Sequence, residues 1–142
     1  MEIRREKPPL YEEIAKVFDI KGKPVIFAWG GVIYAPPPNG AIGPHLIAHE
    51  EVHGFRQRQF PEITGWWRRY LHDPVFRLEE EKLAHIAEYQ WLVDHSGGRA
   101  ERRRHLSHVA ARLSAPLYRY SITKDEARRV LENGYQRDEG RL

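Results

Sequence analysis

His49-Glu50-Glu51-Val52-His53 is the stretch on which the reading of this chain turns. Its spacing is H-E-x-x-H. On an α-helix, residues four apart lie ~40° apart around the axis and ~6 Å apart along it. Both imidazoles therefore point the same way and can grip one ion. Glu50 lies ~100° round from His49, where a carboxylate reaches a metal-held water without binding the metal itself. Two neutral nitrogen ligands beside a proton-accepting carboxylate is the arrangement that metal-assisted hydrolysis needs.

The motif carries this meaning only on a helix. Pro36-Pro37-Pro38-Asn39-Gly40 reads as a loop, and Pro44 suits a first helical turn, where its missing N–H costs nothing. No proline interrupts the run from His45 to Gln59. Ile42, Leu46, His49 and His53 fall on one stripe, with Ala48, Val52 and Phe55 beside it. The histidines thus continue an inward-pointing face. The competing reading is a helix with two hydrogen-bonded core histidines and no metal.

Outward from the motif, the rest of the chain reads as a mostly helical α+β domain over residues 1–142. The core is expected over 8–134 and a frayed tail over 135–142. Pro8 to Phe18 is expected to be helical. Pro24–Trp29 and Val32–Ala35 are expected to pair as a hairpin across Gly30-Gly31. Gly65–Leu71 reads as an aromatic-rich connection or a helical turn. Asp73-Pro74 signals a helix start, and Ser96-Gly97-Gly98 stops that helix after about His95. A further helix is expected over Ala100–Leu113. Thr123 and Glu126 form a capping box for a last helix ending at Asn133-Gly134.

Composition narrows the chemistry. The 142 residues suffice for one domain with a modest core. The net charge of +3 does not by itself call for nucleic acid. Cysteine is absent, which leaves any metal to histidine and carboxylate ligands. No apolar run follows the basic start, so a signal peptide is not expected. No segment approaches the ~18 apolar residues of a membrane span. A cytoplasmic location is the expectation.

A hydrolytic zinc takes three protein ligands and keeps one position for water. The extended pattern H-E-x-x-H-x-x-G-x-x-H is excluded, because Arg56 and Gln59 stand at its glycine and histidine positions. The long helix offers Glu79, Glu80, Glu81, His85 and Glu88. Leu78, Glu81, His85 and Leu92 share one stripe, with Glu88 and Tyr89 at its flank. Glu81 is therefore the expected third ligand, with His85 as its support or as the alternative ligand. Glu79 and Glu80 are expected to face solvent or basic partners, as acidic residues do in a first helical turn.

These residues resemble the gluzincin branch of the zincin metallopeptidases, and more closely a group of small phage and prophage metallopeptidases. The likeness runs over about residues 25 to 131. It comprises Ile33-Tyr34-Ala35-Pro36 after the hairpin, the H-E-x-x-H helix, an aromatic stretch, and Phe76-Arg77-Leu78-Glu79 leading to Glu81, Ala84 and His85. Leu113-Ser114-Ala115-Pro116-Leu117-Tyr118 and Glu126-Ala127-Arg128-Arg129-Val130 follow. Only H-E-x-x-H is chemically specific. The chain departs from the pattern at His85, where tyrosine is expected, and at Gln57, one place later than the expected glutamine. The resemblance implies a zincin-like domain holding one Zn2+ on His49, His53 and Glu81, with Glu50 as general base on a peptide or protein substrate. It also implies a tyrosine or histidine donor to the oxyanion. Tyr118 is the candidate, ahead of Tyr120 and His108, although a core tyrosine would read the same way. The hairpin could offer an edge strand to an extended peptide, or could simply cover the metal helix.

Two other readings compete. One is a zinc-bound phage structural or host-interaction module without turnover. The other is a basic, nucleic-acid-associated helical protein, resting on Arg99, Arg102, Arg103 and Arg104; a solvated helix face explains those residues better, and nucleic acid is not the expected partner. His105 and His108 could form a second metal pair or lie on the surface. Trp66, Trp67 and Trp91 could serve a homodimer or supply core area.

Overall fold

The computed structural model describes residues 1–139. Among them the chain forms β1 (Glu2–Arg4), α1 (Tyr11–Val17), β2 (Phe27–Trp29), β3 (Val32–Tyr34), α2 (Pro44–Gln57), α3 (Ile63–His72), α4 (Pro74–Asp94), α5 (Arg99–Leu113), a 3-10 turn (Pro116–Tyr118) and α6 (Lys124–Glu139). The fold is mostly helical α+β, as the periodicity predicts.

The expected start signals operate as hydrogen bonds. The Asp73 side chain accepts from the backbone N–H groups of Val75 and Phe76, both at 3.1 Å, and Pro74 opens α4. Thr123 Oγ1 accepts from Glu126 N at 3.1 Å, while Glu126 Oε1 faces the Thr123 amide at 3.4 Å. Orphan donors at both helix starts are thereby satisfied. Gly65–Leu71 takes the helical alternative and lies within α3, whose start no side chain caps. Two elements differ from expectation. α6 passes Asn133-Gly134 because Gly134 is a packing glycine: a Cβ there would stand 2.7 Å from Ile86 of α4. β1 is an exposed strand of three residues, too short for its alternation to give a signature. Residues 140–142 of the expected tail lie outside the described residues.

The sheet has the order β1-β3-β2. β2 and β3 are antiparallel, with Phe27 opposite Tyr34 and Trp29 opposite Val32, and β1 joins β3 in parallel. At the turn only Gly30 takes a positive φ, of 60°. α2 crosses that turn so closely that a Cβ on Gly54 would collide with the Gly30 carbonyl oxygen. Gln57, fully buried, completes the clasp. Its Nε2 donates to the Ala28 carbonyl at 2.9 Å and its Oε1 accepts from Gly30 N at 2.7 Å. The hairpin is thus keyed onto the helix that carries the motif.

Two apolar clusters flank the α2–α4 seam. One gathers Ile14, Phe18, Phe27, Trp66, Trp67 and Tyr70. The other gathers Val93, Val109, Leu113, Ala127 and Leu131. Trp66 and Trp67 are therefore core residues of this chain. Between the clusters lies a buried polar layer of His49, Glu50, His53, Glu80, Glu81, His85 and Glu88. Buried charge is costly unless paired or metal-bound, so this layer is where function is sought.

Candidate metal centre

Two i,i+4 pairs meet across the seam, His49 and His53 from α2 and Glu81 and His85 from α4. His49 Nε2 lies 3.4 Å from Glu81 Oε1, and His53 Nε2 lies 3.0 Å from Glu81 Oε2. One ligand atom from each of His49, Glu81 and His85 falls within 4.8 Å of the others, and this buried group could hold a metal ion. That group does not include His53, whose Nε2 faces the second oxygen of the same carboxylate at 3.0 Å. All four residues are at most 5% exposed.

The residues behind the ligands set their orientation. Glu88 Oε1 stands 2.9 Å from His49 Nδ1 and its other oxygen is paired with the Arg112 guanidinium. A carboxylate accepts, so Nδ1 carries a proton toward Glu88 and Nε2 is the nitrogen turned toward Glu81. The Tyr70 hydroxyl donates to Glu81 Oε2 at 2.5 Å. Glu80 was expected to face solvent or basic partners. It is 1% exposed, accepting from Trp66 Nε1 at 2.7 Å and from Arg56 Nε at 2.6 Å. The basic partner is as expected; the burial is not, because α3 lays Trp66 over that face. Glu79 does remain exposed, beside Lys82. Glu88, one of the carboxylates the long helix offers, turns out to support His49, and Tyr70 is a candidate without a sequence signal beyond its helical spacing four residues after Trp66.

The electrostatics follow from this geometry. Burial alone would lower the pKa of His49; the facing Glu81 and Glu88 carboxylates overcome it and push it up to about 10. Burial would raise Glu88, yet hydrogen bonding and charge from His49, with Arg112 nearby, hold it at about 2. Glu81 is likewise held well below its ordinary value against burial, chiefly by His53 and His49. His85 is pushed down to about 3, first by burial and then by His49, and stays neutral. Glu50 is raised by burial, with His49 and His53 opposing. Carboxylates and imidazoles crowded in this way require a proton or a cation between them.

The donor set fits a metal. Among the described residues, four buried side-chain atoms lack a hydrogen-bond partner, and three of them, His53 Nδ1, Glu81 Oε1 and His85 Nε2, belong to this cluster. An unpartnered buried polar atom costs about 1–3 kcal/mol; Glu81 Oε1 and His85 Nε2 leave room for another partner, whereas His53 meets Glu81 through Nε2 and not through its unpartnered Nδ1. Imidazole and carboxylate donors suit zinc and its neighbours in the first transition row.

Glu50 lies 3.9 Å from His49 Nε2 and lines two cavities that meet at the site. The inner cavity is about 80 Å3 and apolar, closed by Phe18, Phe27 and Trp67. The outer one is a groove of about 510 Å3 between the Pro24–Ile26 segment, the start of α2 and the Ala115–Tyr118 turn. Tyr118 lines both, with its ring 5.9 Å from that of His85. Burial first, and then Glu81, raise its pKa, so its hydroxyl keeps its proton. Arg77, 2% exposed, ties the Tyr118 turn down: its guanidinium donates to the carbonyls of Tyr118 at 2.6 Å, Arg119 at 3.0 Å and Tyr70 at 2.6 Å.

The other candidates lie elsewhere. The Tyr120 hydroxyl donates to the Leu113 carbonyl at 2.8 Å. His108 is exposed and His105 faces Glu101 at 3.6 Å. Arg102, Arg103 and Arg104 are on the exposed face of α5. Among the described residues, no helix is long and apolar enough to cross a membrane. No protein-family model, curated protein or solved structure matches the chain.

Proposed function

We propose that the chain is a zinc-dependent peptidase of the gluzincin type, with His49, His53 and Glu81 holding the ion and Glu50 acting as general base. The observation that carries this reading is the convergence of both motif imidazoles on the two oxygens of one buried glutamate, with the motif carboxylate free to face the cavities. Bound zinc supplies Lewis acidity, acidifying a water and polarising a carbonyl oxygen. Glu50, with its pKa raised by burial, accepts the proton of the attacking water and hands it to the leaving amine. Glu88 fixes the His49 ring in the tautomer that presents Nε2. Tyr70 restrains the Glu81 carboxylate. Tyr118, protonated and at the junction of the cavities, is placed to donate to a developing oxyanion. The outer groove admits an extended peptide, and the inner cavity takes a small apolar side chain. Zinc-loaded protein is to be assayed on quenched-fluorescent peptide pools beside Glu50→Gln. The expected result is turnover that falls by about 10²- to 10⁴-fold in the variant while zinc stays bound. Undiminished activity in Glu50→Gln would remove that residue from the mechanism. Absence of turnover in the loaded wild type would favour a metal-bound module without catalysis.

A further inference from the structure

His85 is not needed by a three-ligand site, yet it is built as a donor. Its ring is 0% exposed and lies 4.5 Å from the His49 ring at 77°. Its Nδ1 is 2.7 Å from the Glu81 carbonyl oxygen one turn back. A carbonyl can only accept, so Nδ1 carries the proton and Nε2 presents a bare lone pair. That Nε2 has no hydrogen-bond partner. A core histidine held for packing would have both nitrogens satisfied. The residue stands four positions after Glu81 on the same face of α4, as His53 stands after His49 on α2. A nitrogen of His85 lies within 4.8 Å of ligand atoms of His49 and Glu81, and Nδ1 is 3.4 Å from Glu81 Oε1.

We propose that His85 is a fourth protein ligand, making the centre three imidazoles and one carboxylate. This rests on the metal-centre reading above and deepens it. Four protein donors complete a tetrahedral zinc site, the pattern of closed sites, whereas hydrolytic sites keep one position open. Solvent and substrate therefore gain access only when coordination expands or His85 withdraws, and His85 governs the exposure of the metal.

X-ray absorption on zinc-loaded wild type and His85→Phe reads this directly, without any activity measurement. The expected result is three imidazoles in the wild type, two imidazoles with an added solvent oxygen in the variant, and an affinity loss of about tenfold or more. In case the variant does not fold, zinc titration of nitrogen-15-labelled wild type supplies the second readout: three metal-shifted histidine side chains are expected. Two imidazoles in the wild type, with zinc bound, overturn the role of His85 and leave the three-ligand site standing. Failure of the wild type to bind zinc overturns both.

Discussion

Replacing Glu88 with glutamine tests the centre without touching a ligand. The carboxylate receives the His49 Nδ1 proton at 2.9 Å and is 0% exposed. Glutamine keeps the shape and one acceptor oxygen but removes the charge and sets an amide NH2 against the Arg112 guanidinium. A hydrogen bond to a charged group contributes about 1.5–3 kcal/mol. At about 1.4 kcal/mol per decade, its loss weakens zinc binding by roughly 10- to 100-fold, the range seen when supporting carboxylates are removed. Arg112 is a third exposed, so its lost partner is replaced by water and the fold is preserved. Zinc affinity is read by competition with a chromophoric chelator, with circular dichroism as the control. An affinity unchanged within threefold in folded Glu88→Gln would refute the orienting role and, with it, the assignment of His49 Nε2 as the donor.

Gly54→Ala should destabilise. Alanine gains roughly 1 kcal/mol of helix propensity, but its Cβ meets the Gly30 carbonyl, and overpacking against backbone costs about 1–3 kcal/mol or more; a raised Tm would show that the hairpin is not keyed to α2. Arg77→Met should lower stability by about 2–4 kcal/mol in urea denaturation, because the buried carbonyl of Tyr70 and the partly buried carbonyls of Tyr118 and Arg119 lose their donor; a loss under about 1 kcal/mol would refute the tethering of the Tyr118 turn. The pH dependence has a definite sign. His49 is raised from 6.5 to about 10 in the metal-free fold, so its stabilisation is complete below 6.5 and is lost as pH rises toward 10. Because the ion replaces that proton, the Tm gain on adding zinc should grow across the same window; a gain independent of pH would contradict it. At the acid end Glu88, lowered from 4.5 to about 2, stabilises above 4.5, and this contribution is lost as pH falls toward 2.

What the sequence made legible was what periodicity and capping chemistry encode. The stripe of Leu46, His49 and His53 predicted an inward motif, and the stripe of Glu81 and His85 predicted their meeting with it. Asp73-Pro74 and the Thr123–Glu126 box marked helix starts that form as hydrogen bonds. Other features depend on tertiary partners that no local pattern announces. Glu80 is buried because Trp66 and Arg56 arrive from other helices. Glu88 is ionised in the core because His49 and Arg112 come from two others. Gly134 carries the same letter whether it ends a helix or lets Ile86 approach one. Phe55, read beside the apolar stripe, is 60% exposed because the hairpin docks on the opposite side of α2.

The central claim is a metal centre on the α2–α4 seam. Native mass spectrometry of protein prepared without a histidine tag, supplied with zinc beside His49→Ala and Glu81→Gln, tests it most directly. About one zinc per wild-type chain is expected, with little or none in either variant. Wild type that binds no zinc, or variants that bind it as well as the wild type, would contradict it.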